Sequence, residues 1–189
     1  MIGFVLAVIL GLFGWTLLEY VLHRFVFHER ILGARLSRDH LKHHAKVDWF
    51  VPARAKAALA AVVIGALGAL GLALSAAAGF AAFTAGLILG WLAYEWLHRR
   101  IHWAAPTGAY GEWARRHHLA HHFGLPNKNH GVSSPLWDWV FGTYVPVAAV
   151  RVPRLHATKF PWLVEAVDKR EDARGYRVRA DWADQYAIV

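Results

Sequence analysis

Histidine supplies 13 of the 189 residues, and there is no cysteine. Ten of the histidines fall into four clusters: His23 and His28 in HRFVFH, His40, His43 and His44 in HLKHH, His98 and His102 in HRRIH, and His118, His121 and His122 in HLAHH. A neutral imidazole nitrogen is a common metal donor. With no thiolate available, a metal would be held by histidine, carboxylate or backbone oxygen. On a helix, residues at i, i+3 and i+4 share a face, so each H-x-x-H-H array and the His98/His102 pair can aim several imidazoles at a common point. His23 and His28 are five apart, about 140° around an ideal helix. That pair converges only if the helix bulges or ends near Phe27. The pattern also repeats: a carboxylate and then a His pair (EYVLHRFVFH, YEWLHRRIH) is followed each time by an H-x-x-H-H array. Two half-sites of about five imidazoles suit a dinuclear metal centre. One metal would leave several histidines without a task.

The elements that must carry these clusters are membrane spans. The chain is 57% hydrophobic. Residues 2–22 contain Glu19 as their only charge and match the roughly 20 residues needed to cross a hydrocarbon core of about 30 Å. They lack the basic leader of a secretory signal peptide and read as a signal anchor. The next apolar block has Glu95 as its only charge, is twice the length of one span and breaks at SAAAGF (Ser75 to Phe80), predicting a helical hairpin of spans 57–76 and 79–97. The fold class is therefore an all-α membrane protein of about three transmembrane helices with a cytosolic, helical, His-rich metal domain. One domain, 1–189, is expected, with histidine regions 23–56 and 98–150 and a charged tail, 151–189. Both histidine regions are rich in Lys and Arg, so the positive-inside rule makes their side cytoplasmic and the N-terminus external. The net charge of +8 fits anionic lipid headgroups and not nucleic acid. Gly65, Gly68 and Gly71 recur every three positions and predict close helix packing.

Other residues have narrower roles. Glu19 and Glu95 lie four and three residues before their His pairs, where a carboxylate could fix the tautomer of a metal-bound imidazole; the alternative is a snorkelling interfacial carboxylate. His117 points about 100° away from His118 and is a bystander or a hydrogen-bond donor beside the site. His130, in NKNHGVSS, is a candidate neighbour of the site, and His156 lies in the charged tail and reads as solvated. Asp39 and Asp138 read as helix caps. Trp15, Tyr20, Trp91, Tyr94, Trp96, Trp103, Trp113, Trp137 and Trp139 form either an interfacial belt or the walls of an acyl-chain tunnel. The tail, with Trp162, Tyr176 and Trp182, is expected to cover the histidine domain.

The four clusters, in this order and spacing, resemble the fatty acid hydroxylase/sterol desaturase superfamily of membrane di-iron oxygenases. The resemblance runs from about Trp15 to Tyr144. Its strongest part is HHLAHHFGLPNKNHGVSSPLWDWVFGTY (His117 to Tyr144), and EYVLHRFVFH is most similar to the branch that hydroxylates fatty acyl chains at the 2-position. The resemblance implies an O₂-dependent enzyme that holds two iron ions on the ten clustered histidines and inserts one oxygen atom into a lipid C–H bond. Zinc would bind the same donors, but C–H hydroxylation needs a redox metal. A fused cytochrome b5 domain is not found, so a separate electron donor of cytochrome b5 or ferredoxin type is expected. Within the superfamily the alternatives are a carotenoid ring hydroxylase, against which GVSSPLWDWVFGTY argues, and a sterol-type desaturase or oxidase. A metal transporter would place its ligands near the bilayer midplane, unlike these clusters.

Overall fold

The apolar segments all fold as helices, because in a bilayer only a helix satisfies every backbone polar group within one segment. A computed structural model describes residues 1–163 and 175–179. Helix α1 (Ile2–Val21) continues without a break into a π-helical segment (Leu22–His28), giving one rod of 27 residues. Helix α2 (Ala34–Ala45) carries the second histidine cluster. Helices α3 (Ala53–Ala73) and α4 (Ala77–Trp103) form the hairpin, 21 and 27 residues long. At 1.5 Å per residue, 27 residues reach about 40 Å, about two turns more than the hydrocarbon core requires. The overshooting turns of α1 and α4 carry His23, His28, His98 and His102. The helices thus run past residues 22 and 97, because backbone hydrogen bonding continues where the apolar run stops. With three such helices the chain is an integral membrane protein.

The hairpin turn is shorter than SAAAGF suggested. Ser75 takes a left-handed conformation (φ 53°), and Ala76 N–H donates back to the Gly71 carbonyl at 2.9 Å, the usual way to close a helix C-terminus. The predicted glycine packing is also relocated. Gly65 and Gly68 face open space, and only Gly71 of that trio is packed, against Phe80. The close approach lies between α1 and α4, where a Cβ on Gly11 would strike the Phe83 carbonyl and one on Gly86 the Val8 carbonyl. A glycine has this role only where another backbone crosses it.

Beyond the membrane, α5 (Gly108–Phe123) carries the fourth cluster and ends at Gly124; α6 (Leu136–Val140) follows. Strand β1 (Val150–Pro153), α7 (Arg154–Ala157) and β2 (Tyr176–Arg179) complete the described chain, with β1 and β2 paired in parallel, Val150 opposite Tyr176. Their apolar residues build a small core with Ile101, Leu119, Val132, Phe160 and Leu163. The start of the tail covers the histidines: the Phe160 ring stacks on His102 at 5.9 Å. Trp162 and Tyr176 pack against each other beside it, while Trp182 lies outside the described residues.

Candidate metal centre

All ten clustered histidines come together, in two groups of five. Cluster one is His23, His28, His40, His44 and His121; cluster two is His43, His98, His102, His118 and His122. The grouping crosses the sequence repeat. In each H-x-x-H-H array the outer pair, four apart, serves one cluster and the residue between them serves the other. The geometric reason is that i+3 and i+4 lie about 100° apart on a helix, so the three imidazoles do not share one focus. The rings of His44 and His122 stack face to face at 4.0 Å where the clusters meet. His23 and His28 converge through the π-helical segment, whose i→i+5 hydrogen bonds bring residues five apart onto one face. Their rings are 5.2 Å apart.

The donor set fits metal ions. In each cluster one ring nitrogen per residue lies within 4.8 Å of every other. In cluster one Nε2 of His40 is 2.9 Å from that of His28 and 3.0 Å from that of His44, and Nε2 of His121 is 3.0 Å from that of His28. In cluster two the His43/His98 and His102/His118 Nε2 pairs are each 3.1 Å apart. Five nitrogens around one ion at about 2.1 Å would stand about 3 Å apart when adjacent and about 4.2 Å when opposite. The tautomers agree. The Nδ1–H groups of His43 and His121 donate to the carbonyls of Trp49 (2.6 Å) and Lys128 (2.7 Å), and that of His23 donates to the His130 carbonyl. Each leaves Nε2 as a bare lone pair aimed into its cluster. The Nε2 of His23 and both ring nitrogens of His122 are shielded from solvent without a hydrogen-bond partner. Burial, reinforced by neighbouring imidazoles, holds His40, His44, His118, His121 and His122 well below the ordinary histidine range, and burial lowers His43 to about 4. The rings are therefore neutral, as metal donors must be. Phe27 stacks on His40, and Phe50 lies edge-on to His98 and His102, which keeps water from the rings.

Several other residues differ from expectation. Glu19 neither touches an imidazole nor snorkels: it is buried and accepts from the backbone N–H groups of Val132 and Ser133. Glu95 pairs with Lys56 at 2.5 Å, a basic residue at the foot of α3. Asp39 sits inside α2, whose N-cap is Gly33, and so caps nothing. Asp138 caps nothing either; it accepts from His130 N–H, Gly131 N–H, Thr143 Oγ1 and His117 Nε2. Burial alone would raise its carboxyl, but hydrogen bonds from His117, Thr143 and Gly131 hold it below the usual range. His117 therefore faces away from both clusters, as its angle required. The His130 ring lies 5.1 to 5.6 Å from those of His121, His28 and His23, beside cluster one. His156 is half-buried against Phe123, not solvated, because α7 folds back onto α5. The aromatics divide: Trp96, Trp103 and Trp139 are exposed as a belt would be, whereas Tyr20 is buried and Tyr94 stacks on His98.

Arg115 was not singled out by any pattern. It is buried and donates to the carbonyls of Arg100 (2.9 Å), Ile101 (3.0 Å) and Ala104, tying α5 to the end of α4 and so fixing His118 and His122 against His98 and His102. One arginine among several carries no spacing signal. Nor do the carbonyls that orient His23, His43 and His121, since every residue has one.

The chain is similar to known proteins over most of its length. Residues 8–143 match the fatty acid hydroxylase family. The chain is 32% identical over 148 residues to the dihydroceramide fatty acyl 2-hydroxylase FAH1 of Arabidopsis thaliana, covering 76% of this chain and 62% of that one. It is 33% identical over 150 residues to the human fatty acid 2-hydroxylase, covering 72% and 39%. Among solved structures it is similar to full-length scs7p, of which only the hydroxylase domain is visible, with a TM-score of 0.62 and 29% identity over 75% of this chain and 57% of that one. The chain thus spans about three fifths of the length of the Arabidopsis relative.

Proposed function

The chain belongs to the fatty acid hydroxylase family, and on that premise we propose that it is a di-iron oxygenase that hydroxylates a lipid acyl chain at the 2-position. The observation that carries this reading is the pair of five-imidazole clusters, each with two of its histidines on a helix turn that overshoots the length of a hydrocarbon core. Carbon 2 of an acyl chain sits beside its carbonyl, at headgroup depth. A site built on those turns meets that carbon without drawing the lipid out of the membrane. The relatives named as fatty acid 2-hydroxylases and dihydroceramide fatty acyl 2-hydroxylases support the same position and substrate class.

His23, His28, His40, His44 and His121 would hold one iron, and His43, His98, His102, His118 and His122 the other. Iron held there would supply the redox chemistry with O₂ that a C–H hydroxylation needs, which zinc could not. The protein's own part is positioning. Backbone carbonyls fix the rings of His23, His43 and His121, Arg115 joins α5 to α4, and Phe27, Phe50 and Phe160 exclude water. A donor of cytochrome b5 or ferredoxin class would supply the electrons. The site faces the cytoplasm and the N-terminus lies outside, with residues 1–189 working as one unit.

The test is expression of the chain in a host with a compatible reductant and O₂, followed by lipid analysis. Chains bearing a 2-hydroxyl group should rise over the empty-vector control, and His118→Ala should return them to background. New oxygen on a carotenoid ring or a sterol, with acyl chains untouched, would overturn the substrate assignment.

A further inference from the structure

Two buried carboxylates outside the imidazole clusters grip one short loop from opposite sides. Glu19, on α1, accepts from the N–H groups of Val132 (2.5 Å) and Ser133 (2.9 Å) with Oε1, and from the Ser133 hydroxyl (2.5 Å) with Oε2. Asp138, on α6, accepts from the N–H groups of His130 and Gly131, both at 2.8 Å. Four consecutive amides, 130 to 133, are thereby tied down. The loop has no slack, since a Cβ on Gly131 would strike the Ser134 carbonyl. Besides the His130 ring, the loop presents to the site the His130 carbonyl, which accepts the Nδ1–H of His23.

We propose that Glu19 is a positioning residue for cluster one: by anchoring residues 132 and 133 it holds the His130 carbonyl where it fixes the tautomer and rotation of His23. The inference rests on the two-metal reading above. Glu19 and His23 are one helical turn apart, so the same helix that presents the ligand also presents the group that anchors its partner. A carboxylate placed merely at the membrane surface would look like Glu95, which is paired with Lys56. Glu19 is 4% exposed and, among the described residues, lies in no ion pair. Its task is therefore geometric. An amide can perform it, with the carbonyl accepting from both backbone N–H groups and the NH₂ donating to Ser133 Oγ. Leucine cannot, and would leave two buried N–H groups without partners.

The experiment uses the full chain in detergent micelles, loaded with Fe(II), with metal per chain read during competition by a chelator. Wild type and Glu19→Gln should each hold two ions tightly. Glu19→Leu should hold one tightly and the other about 10- to 100-fold more weakly, the range for partners that orient a ligand. Combined with His40→Ala, Glu19→Leu should remove nothing further; combined with His102→Ala it should leave no tightly held ion. Independently of metal, amide hydrogen exchange over 130–133 should accelerate in Glu19→Leu. If that variant does not fold, Glu19→Asp, one methylene shorter, should weaken the same ion by a smaller factor. Two tightly held ions in Glu19→Leu (or, in its place, Glu19→Asp), or a Glu19→Gln as defective as Glu19→Leu, would overturn the proposal while leaving the two-metal reading intact. A wild-type protein with fewer than two ions would overturn that reading and the proposal with it.

Discussion

At the residue scale, the most consequential observation is that the middle histidine of each H-x-x-H-H array crosses to the other cluster. His43 leaves its helix partners His40 and His44 and joins His98, while His121 leaves His118 and His122 and joins His28. Each array therefore holds both clusters at once and fixes the distance between them. Variants should reflect the cluster and not the helix. His43→Ala combined with His98→Ala should retain about one metal per chain, because both residues belong to cluster two. His43→Ala combined with His40→Ala, on one helix but in different clusters, should retain none tightly. Metal analysis of the purified variants reads the difference, and the opposite ranking would mean that each array serves one ion.

At the element scale, the first and third clusters differ by one residue, H-x-x-x-x-H against H-x-x-x-H. The π-helical turn absorbs the extra residue, so α1 and α4 present equivalent histidine pairs despite unequal spacing. π-Bulges are often found at functional sites for this reason. Inserting one alanine after Phe25 would set the pair six apart, which fits neither an α nor a π turn. The expected result is loss of the ion at cluster one, with about one metal per chain remaining and unchanged helix content by circular dichroism. Two retained ions would show that the π turn is incidental.

At the scale of the whole molecule, three spans leave every cluster on one face, and the small extramembrane core closes over it. Reporter tags near Ala45 and after Val189 should both read cytoplasmic, and a tag at Ala77 external. If Ala45 and the C-terminus reported opposite sides, the ten histidines could not share one site and the two-cluster arrangement would be wrong. The packing of α1 on α4 sets how far apart the two overshooting ends stand, and it depends on Gly11 and Gly86 meeting backbone to backbone.

The sequence by itself determined the number of spans and the identity of the ten clustered residues, because apolar run length and helical spacing are local properties that survive without neighbours. It also showed that His23 and His28 needed a departure from the α-helix, since 140° of separation cannot converge otherwise. Which five imidazoles group together was decided only by the tertiary structure, because it depends on how α1, α2, α4 and α5 cross. The same holds for Glu19 and Asp138. Glu19 read by its spacing as an imidazole partner and Asp138 read as a helix cap, whereas Glu19 accepts from main-chain amides more than a hundred residues away, and Asp138 accepts from amides seven to eight residues away as well as from the His117 ring and the Thr143 hydroxyl. Backbone donors and acceptors have no residue signature, so the carbonyls and amides that aim this site become visible only once the chain is folded.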